Sequence, residues 1–197
     1  MPERPTTSIA VFCGARPGVG RRYLDEAYTF GEALGRAGAA LVYGAGEVGV
    51  MGAVAAGARA AGAPVTGVIP ALLYERERPD LHTGEVVVVE TMHDRKAAMY
   101  DLADGFAILP GGLGTLDELM EVLTWNQLGI HRKPVVLVDG GGFFQPLVLL
   151  LDHLLAEGFI SPVDRAMVEV TTDPGDAVAR LLGAGDPLAL TTVAGSV

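Results

Sequence analysis

Two glycine-rich segments of this chain have the composition to hold an anion. The stronger is Pro110-Gly111-Gly112-Leu113-Gly114-Thr115-Leu116-Asp117-Glu118, which follows a short apolar run and precedes an amphipathic one. Glycines let a phosphate approach the backbone closely, and a helix start adds unpaired N–H groups with a partial positive charge. The segment lacks the lysine and the four-residue spacer of a G-x-x-x-x-G-K-S/T loop, so nucleoside triphosphate hydrolysis loses its main support. Thr115 and Glu118 also have the T-x-x-E spacing of a capping box, in which Glu118 would satisfy a helix start and do no chemistry. The glycine run favours the anion site, because a capping box needs none of those glycines.

The second segment, Gly44-Ala45-Gly46-Glu47-Val48-Gly49, has G-x-G-x-x-G spacing between an apolar run and an Ala-rich one. A dinucleotide site also needs an acidic residue about 20 positions on, to bind a ribose hydroxyl. Here that region reads Val65-Thr66-Gly67-Val68-Ile69-Pro70 and has no acid, so a tight turn is the better reading. Arg95, beside Asp94, reads by itself as a solvated helix charge. His82, His93, His131 and His153 are too scattered for a metal-ligand set, and no metal or other cofactor is expected. Cys13 is the lone cysteine, which removes any intrachain disulfide and is compatible with a reducing cytoplasm.

The elements that must position these residues follow from periodicity. Short β-branched runs alternate with longer Ala/Leu-rich stretches, with Gly or Pro at the junctions, which is the pattern of strands joined by crossover helices. Strands are expected at 9–13, 40–43, 65–69, 85–90, 105–109, 134–138 and 166–170. Helices are expected at 21–36, 48–61, 92–102, 116–127, 143–156 and 174–182. Pro70 to Gly84 loses the periodicity and concentrates charge at Glu75, Arg76, Glu77 and Arg78, so it reads as an irregular connection. The fold class is α/β: a doubly wound parallel sheet with helices on both faces, whose ligands bind beyond the carboxyl ends of the strands. Residues 1–183 form one domain in this reading, and 184–197 a frayed tail.

Composition narrows the partners. A net charge of −10 opposes long contacts with a nucleic-acid polymer, so a phosphate must be held locally by N–H groups and a few cations. The start of the chain lacks the apolar core of a signal peptide, and no apolar run approaches the ~20 residues that span a bilayer, so no membrane partner is expected.

Pro110 to Glu118 resembles the hallmark motif of the Lonely Guy type of nucleoside 5′-monophosphate phosphoribohydrolase. Cys13-Gly14, Tyr43-Gly44, Val48 to Gly52, Gly67 to Pro70, Met92 to Lys96, Thr124 to Gly129 and Glu157 to Ile160 match that family in the same order. The resemblance implies a Rossmann-like fold, a homodimer or larger assembly, and cofactor-free hydrolysis of adenosine monophosphate or its N6-prenylated cytokinin form. It assigns catalysis to Arg95 and Glu118, and substrate binding to Glu77, Arg95, Lys96, Gly112, Leu113, Gly114, Thr115, Leu116, Asp117, Glu118 and Thr124. Ala45 departs from a commonly glycine position and Ala15-Arg16 from small hydroxylated residues, departures that bear on substrate preference more than on reaction type. The lysine decarboxylase label long carried by the family finds no Schiff-base pattern here.

Cleavage of an N-glycosidic bond passes through a sugar with oxocarbenium character, so it requires negative charge near the ribose and help for the departing base. Glu118 could stabilise that cation, orient water or hold the ribose hydroxyls; Arg95 could polarise the purine or fix the phosphate. Two rival readings are a carrier that binds a nucleotide or molybdenum cofactor without turning it over, and a dehydrogenase.

Overall fold

The computed structural model describes residues 6–77 and 84–183. Seven strands form one sheet: β1 (Ser8–Phe12), β2 (Ala40–Tyr43), β3 (Val65–Pro70), β4 (Glu85–Val89), β5 (Gly105–Ile108), β6 (Val135–Val138) and β7 (Val168–Thr171). They are all parallel and lie in the order β4-β3-β2-β1-β5-β6-β7. The chain therefore starts at the centre, winds outward to β4, and returns to place β5 against the other side of β1. At that reversal neighbouring crossovers leave in opposite directions, and a crevice opens beyond the carboxyl ends of β1 and β5.

Among the described residues there are eight helices, seven between strands and the last after β7: α1 (Arg22–Arg36), α2 (Gly49–Ala60), α3 (Ala71–Glu77), α4 (Met92–Leu102), α5 (Leu113–Gln127), α6 (Gln145–Ala156), α7 (Pro162–Arg165) and α8 (Pro174–Gly183). No helix among the described residues is long and apolar enough to cross a membrane. The central strands are buried on both faces, so their side chains alternate between two cores. Ile9 and Val11 enter one with Phe30 and Leu34 of α1 and Val54 of α2. Ala10 and Phe12 enter the other with Met99 and Tyr100 of α4 and Leu119 and Val122 of α5.

Helices α1 and α2 approach closely because glycines face each other across the contact. A methyl group added at Gly57 would overlap the Tyr28 carbonyl oxygen, and one at Gly31 would overlap the Val54 carbonyl oxygen. Both glycines sit inside helices, where alanine is ordinarily better by about 1 kcal/mol.

The structure corrects four sequence expectations. Ala71–Glu77 is helical, not irregular, because Ala, Leu, Glu and Arg are strong helix formers whatever their local charge density; residues 78–83 of the expected connection lie outside the described residues. Helix α5 begins at Leu113, three residues earlier than expected, with Gly112 as its N-cap. The last strand is Val168–Thr171, displaced toward the C-terminus by the short α7, which Ser161 and Asp164 cap reciprocally. Helix α8 runs to Gly183, and the expected tail beyond it, residues 184–197, also lies outside the described residues.

Replacing Gly57 by alanine is expected to destabilise the protein by about 2 kcal/mol despite the gain in helix propensity, since the helices must separate to admit the methyl group. Chemical denaturation checks this, and a stabilised variant would contradict the close-approach account.

Candidate active site at the carboxyl ends of β1 and β5

A cavity of about 670 Å³ occupies the crevice, within the range of small-molecule sites. It is lined by Cys13 and Gly14 after β1, Pro110 and Gly111 after β5, and Val50 and Met51 of α2, among others. The Gly14 N–H donates to the Pro110 carbonyl at 3.1 Å, and the Met51 N–H donates to the Gly14 carbonyl at 3.1 Å, which ties three loops into one rim. A side chain at Gly111 would overlap Thr115 Oγ1, so that glycine is required for the loop to turn tightly into the helix.

The start of α5 forms one wall. Gly112 is the N-cap, with φ −105° and ψ −151°, and no side chain caps the helix. Thr115 is 3% exposed and stands at the third helical position, so it cannot be the cap of a T-x-x-E box. That removes the structural explanation for Glu118, which sits a further turn into the helix. The first N–H groups of α5 have no intrahelical acceptor. A methyl group at Gly112 or Gly114 would meet nothing within 4 Å, so both glycines border open space at the place where those N–H groups are free.

Arg95 reaches the cavity from α4. Thr91 and Asp94 make the true capping box of that helix, which fixes its first turn. The half-buried guanidinium donates through Nε to the Val68 carbonyl at 3.1 Å and through Nη2 to the Gly44 carbonyl at 3.2 Å. Any side chain at Gly44 would overlap Nη2, so this glycine of the G-x-G segment makes room for the arginine. Ala45, in the commonly glycine position, adopts a left-handed φ of 58°.

Glu118 faces Arg95 across the cavity without a direct hydrogen bond or ion pair to any described residue. Burial pushes its carboxyl up to about 7; Arg95 opposes the shift, Asp117 adds to it, and Lys96 and Glu121 act in opposite senses from the α4–α5 junction. Burial likewise pushes the Cys13 thiol well above its ordinary range, with Glu118 adding to the effect, so Cys13 lines the cavity as a neutral thiol.

Of the residues that the resemblance assigns to substrate, Arg95, Gly112, Leu113, Gly114, Thr115 and Glu118 all line this one cavity. Four others lie elsewhere. Lys96 Nζ is 3.1 Å from Asp117 Oδ2 and 2.7 Å from Glu121 Oε2, and the Tyr100 hydroxyl donates to Glu121 at 2.6 Å. These contacts brace α4 against α5, and so fix Arg95 relative to Glu118. Leu116 is half-buried outside the cavity, and Thr124 is exposed, donating to the Met120 carbonyl at 2.7 Å. The Glu77 side chain lies outside the described residues. Sequence reasoning missed Arg16, Tyr23 and Phe143, which also line the cavity. The Tyr23 and Phe143 rings meet edge to face at 5.9 Å. No local pattern could pair residues so far apart in the chain.

Residues 51–181 match the model of a family described as possible lysine decarboxylase. The chain is 44% identical over 180 residues to the cytokinin riboside 5′-monophosphate phosphoribohydrolase of Rhodococcoides fascians, covering 90% of this chain and 91% of that one. It is 44% identical over 173 residues to an enzyme of the same name from Arabidopsis thaliana, covering 88% of this chain and 80% of that one. The chain belongs to this family, the Lonely Guy phosphoribohydrolases. Among solved structures, the molybdenum cofactor binding protein of Rippkaea orientalis superposes with a TM-score of 0.67 at 23% identity, covering 92% of this chain and 98% of that one. At that identity the likeness is one of fold, which carries the seven-stranded sheet and not the cargo.

The family description would call for pyridoxal phosphate on a lysine, and the residues do not fit it. Both lysines of the chain lie outside the cavity: Lys96 is held by its two carboxylates, and Lys133 Nζ donates to the Tyr100 carbonyl at 2.6 Å.

The raised Glu118 carboxyl has a consequence for stability. The folded chain holds this proton more tightly than the unfolded chain does, so folding loses stability as pH rises from about 4.5 to about 7, and the full cost persists above. Glu118→Gln removes the charge. Its stability relative to the unaltered protein should therefore improve by about 2–3 kcal/mol between pH 5 and pH 8. Denaturation at the two pH values checks this, and a difference that does not change with pH would contradict the burial of Glu118.

Proposed function

We propose that the chain hydrolyses the N-glycosidic bond of adenine-type nucleoside 5′-monophosphates, AMP or N6-prenylated AMP, to free base and ribose 5-phosphate. One observation carries the reading: a desolvated carboxyl and an immobilised guanidinium share a cavity with an uncapped, glycine-lined helix start. The N–H groups of Leu113, Gly114 and Thr115 hold the 5′-phosphate, so binding energy remote from the reacting bond goes into its orientation. Glu118, ionised, stands near C1′, where it stabilises developing positive charge on the sugar and receives a proton from the attacking water. Arg95 lies on the β2–β3 side, away from the phosphate cradle, and is assigned to the departing base, whose growing negative charge it offsets.

Membership of the family supports this reaction, since relatives named as phosphoribohydrolases align over nearly the whole chain. We extend the reading to a homodimer. Leu128 and Ile130 beyond α5, and Phe159 and Val163 around α7, are exposed apolar residues. Gln127 Nε2 donates to Asp164 Oδ2 at 3.1 Å and so joins those two regions. Lys96, Leu116, Asp117 and Thr124 take part in substrate binding only through such an assembly or through movement of α5, and Glu77 is retained as a substrate contact on the resemblance alone.

Incubation with AMP, isopentenyladenosine monophosphate or adenosine, followed by chromatography of free base, tests the reaction. Base is expected from the monophosphates and little from adenosine; none from either monophosphate would overturn the reading. The pH profile of kcat/KM should rise to a plateau through an apparent pKa of about 7, because the reactive form of Glu118 is ionised. Glu118→Gln should lose about 100-fold or more in kcat, with its binding of AMP retained. Gly114→Ala fills the open space beside the free N–H groups and should raise KM for AMP about tenfold or more, with stability unchanged or slightly improved.

A further inference from the structure

We propose that Arg16 is a phosphate clamp: its guanidinium, carried on the loop after β1, pairs with the 5′-phosphate and sets the preference for a monophosphate over a neutral nucleoside. The inference rests on the reading of the cavity as a nucleotide site and adds a contact that the hallmark motif does not contain.

The need for it comes from charge. A phosphate monoester carries close to two negative charges at neutral pH, whereas a helix N-terminus offers about half a positive one. The site must also bring that dianion near Glu118 in a protein of net charge −10. A cation beside the helix N-terminus would offset the remaining charge, and most nearby candidates are committed. Two donors of Arg95 are spent on the Val68 and Gly44 carbonyls. Lys96 is held by Asp117 and Glu121. Arg21 pairs with Asp25 at 3.4 Å, and Arg22 donates to the Tyr23 hydroxyl at 2.8 Å while lying over that ring. Arg16 lines the cavity and has no hydrogen bond or ion pair to any described residue.

The backbone that carries Arg16 is well placed for the task. A methyl group at Gly49 would come within 2.7 Å of the Arg16 nitrogen, and one at Gly14 would come within 3.2 Å of the Arg16 carbonyl and 3.3 Å of Gly111 Cα. The turn from Gly14 to Arg16 is thus packed between the starts of α2 and α5. Its main chain is fixed beside the anion cradle, and only the exposed side chain need move when the ligand arrives. Guanidinium and phosphate match as two parallel charge-assisted hydrogen bonds, a geometry that an ammonium group cannot reproduce.

The test measures binding apart from turnover. Calorimetric titration of AMP and of adenosine into Glu118→Gln, and into the same variant carrying Arg16→Ala, should show AMP weakened about tenfold by loss of Arg16 and adenosine unaffected. Arg16→Lys should recover part of the loss. The affinity of the Arg16→Ala variant for AMP should also depend less steeply on salt. In the unaltered background, Arg16→Ala should lower kcat/KM for AMP about tenfold. Equal AMP affinity with and without Arg16 would overturn the clamp, as would equal losses for AMP and adenosine. If the unaltered protein released no base, yet Arg16→Ala still weakened AMP selectively, the clamp would stand and the hydrolase reading would fall.

Discussion

The electrostatic tension between Glu118 and its surroundings is the constraint on which the rest of the site depends. A carboxyl one turn inside α5 is taken out of water, and Arg95, the stronger of the two opposing cations, offsets only part of the cost. The guanidinium makes no ion pair with it and instead donates to the Gly44 carbonyl after β2 and the Val68 carbonyl in β3. Gly44 must be glycine for that anchor to fit, and the brace of Lys96, Tyr100, Asp117 and Glu121 keeps α4 and α5 in fixed relation. A carboxyl whose proton is held to about 7 beside a hydrogen-bonded guanidinium has the form of a reacting group, and its cost to stability supports the role proposed for it.

The sheet supplies the remaining geometry. Because β5 returns to the side of β1 away from β2, the loop after β1 and the start of α5 meet at one crevice, and α4, packed on the same face of the sheet as α5, brings Arg95 to it. The same sheet occurs at 23% identity in a molybdenum cofactor binding protein, so the scaffold does not choose between carrying a ligand and cleaving it. Arg95 and Glu118 bear on that choice, along with how the phosphate is gripped.

Most strands were readable in the sequence to within a residue, since a buried parallel strand is a continuous apolar run with few ways to be misread. Helix starts were harder. Thr115 and Glu118 have the spacing of a capping box, yet the reciprocal boxes seen among the described residues are Thr91 with Asp94 and Ser161 with Asp164. The spacing rule cannot register that the backbone had already turned helical at Leu113, because that depends on Gly111 fitting against Thr115. Helix α3 was hidden by its charges. At the site, Arg95 and Glu118 were found through the motifs around them, whereas Arg16, Tyr23 and Phe143 belong to segments that meet only once the sheet is assembled. Lys96 and Asp117, grouped with the substrate on the strength of the same motifs, are engaged with each other in the free structure.

The central claim is that the Glu118 carboxyl is poised near neutrality by burial and held down in part by Arg95. A ¹³C NMR titration of protein labelled at the glutamate side-chain carboxyl, with the Glu118 signal assigned by its loss in Glu118→Gln, measures this directly. The account predicts a midpoint near 7 in the unliganded protein, moving upward in Arg95→Met. A midpoint near the ordinary value of 4.5, or one indifferent to the removal of Arg95, would contradict it.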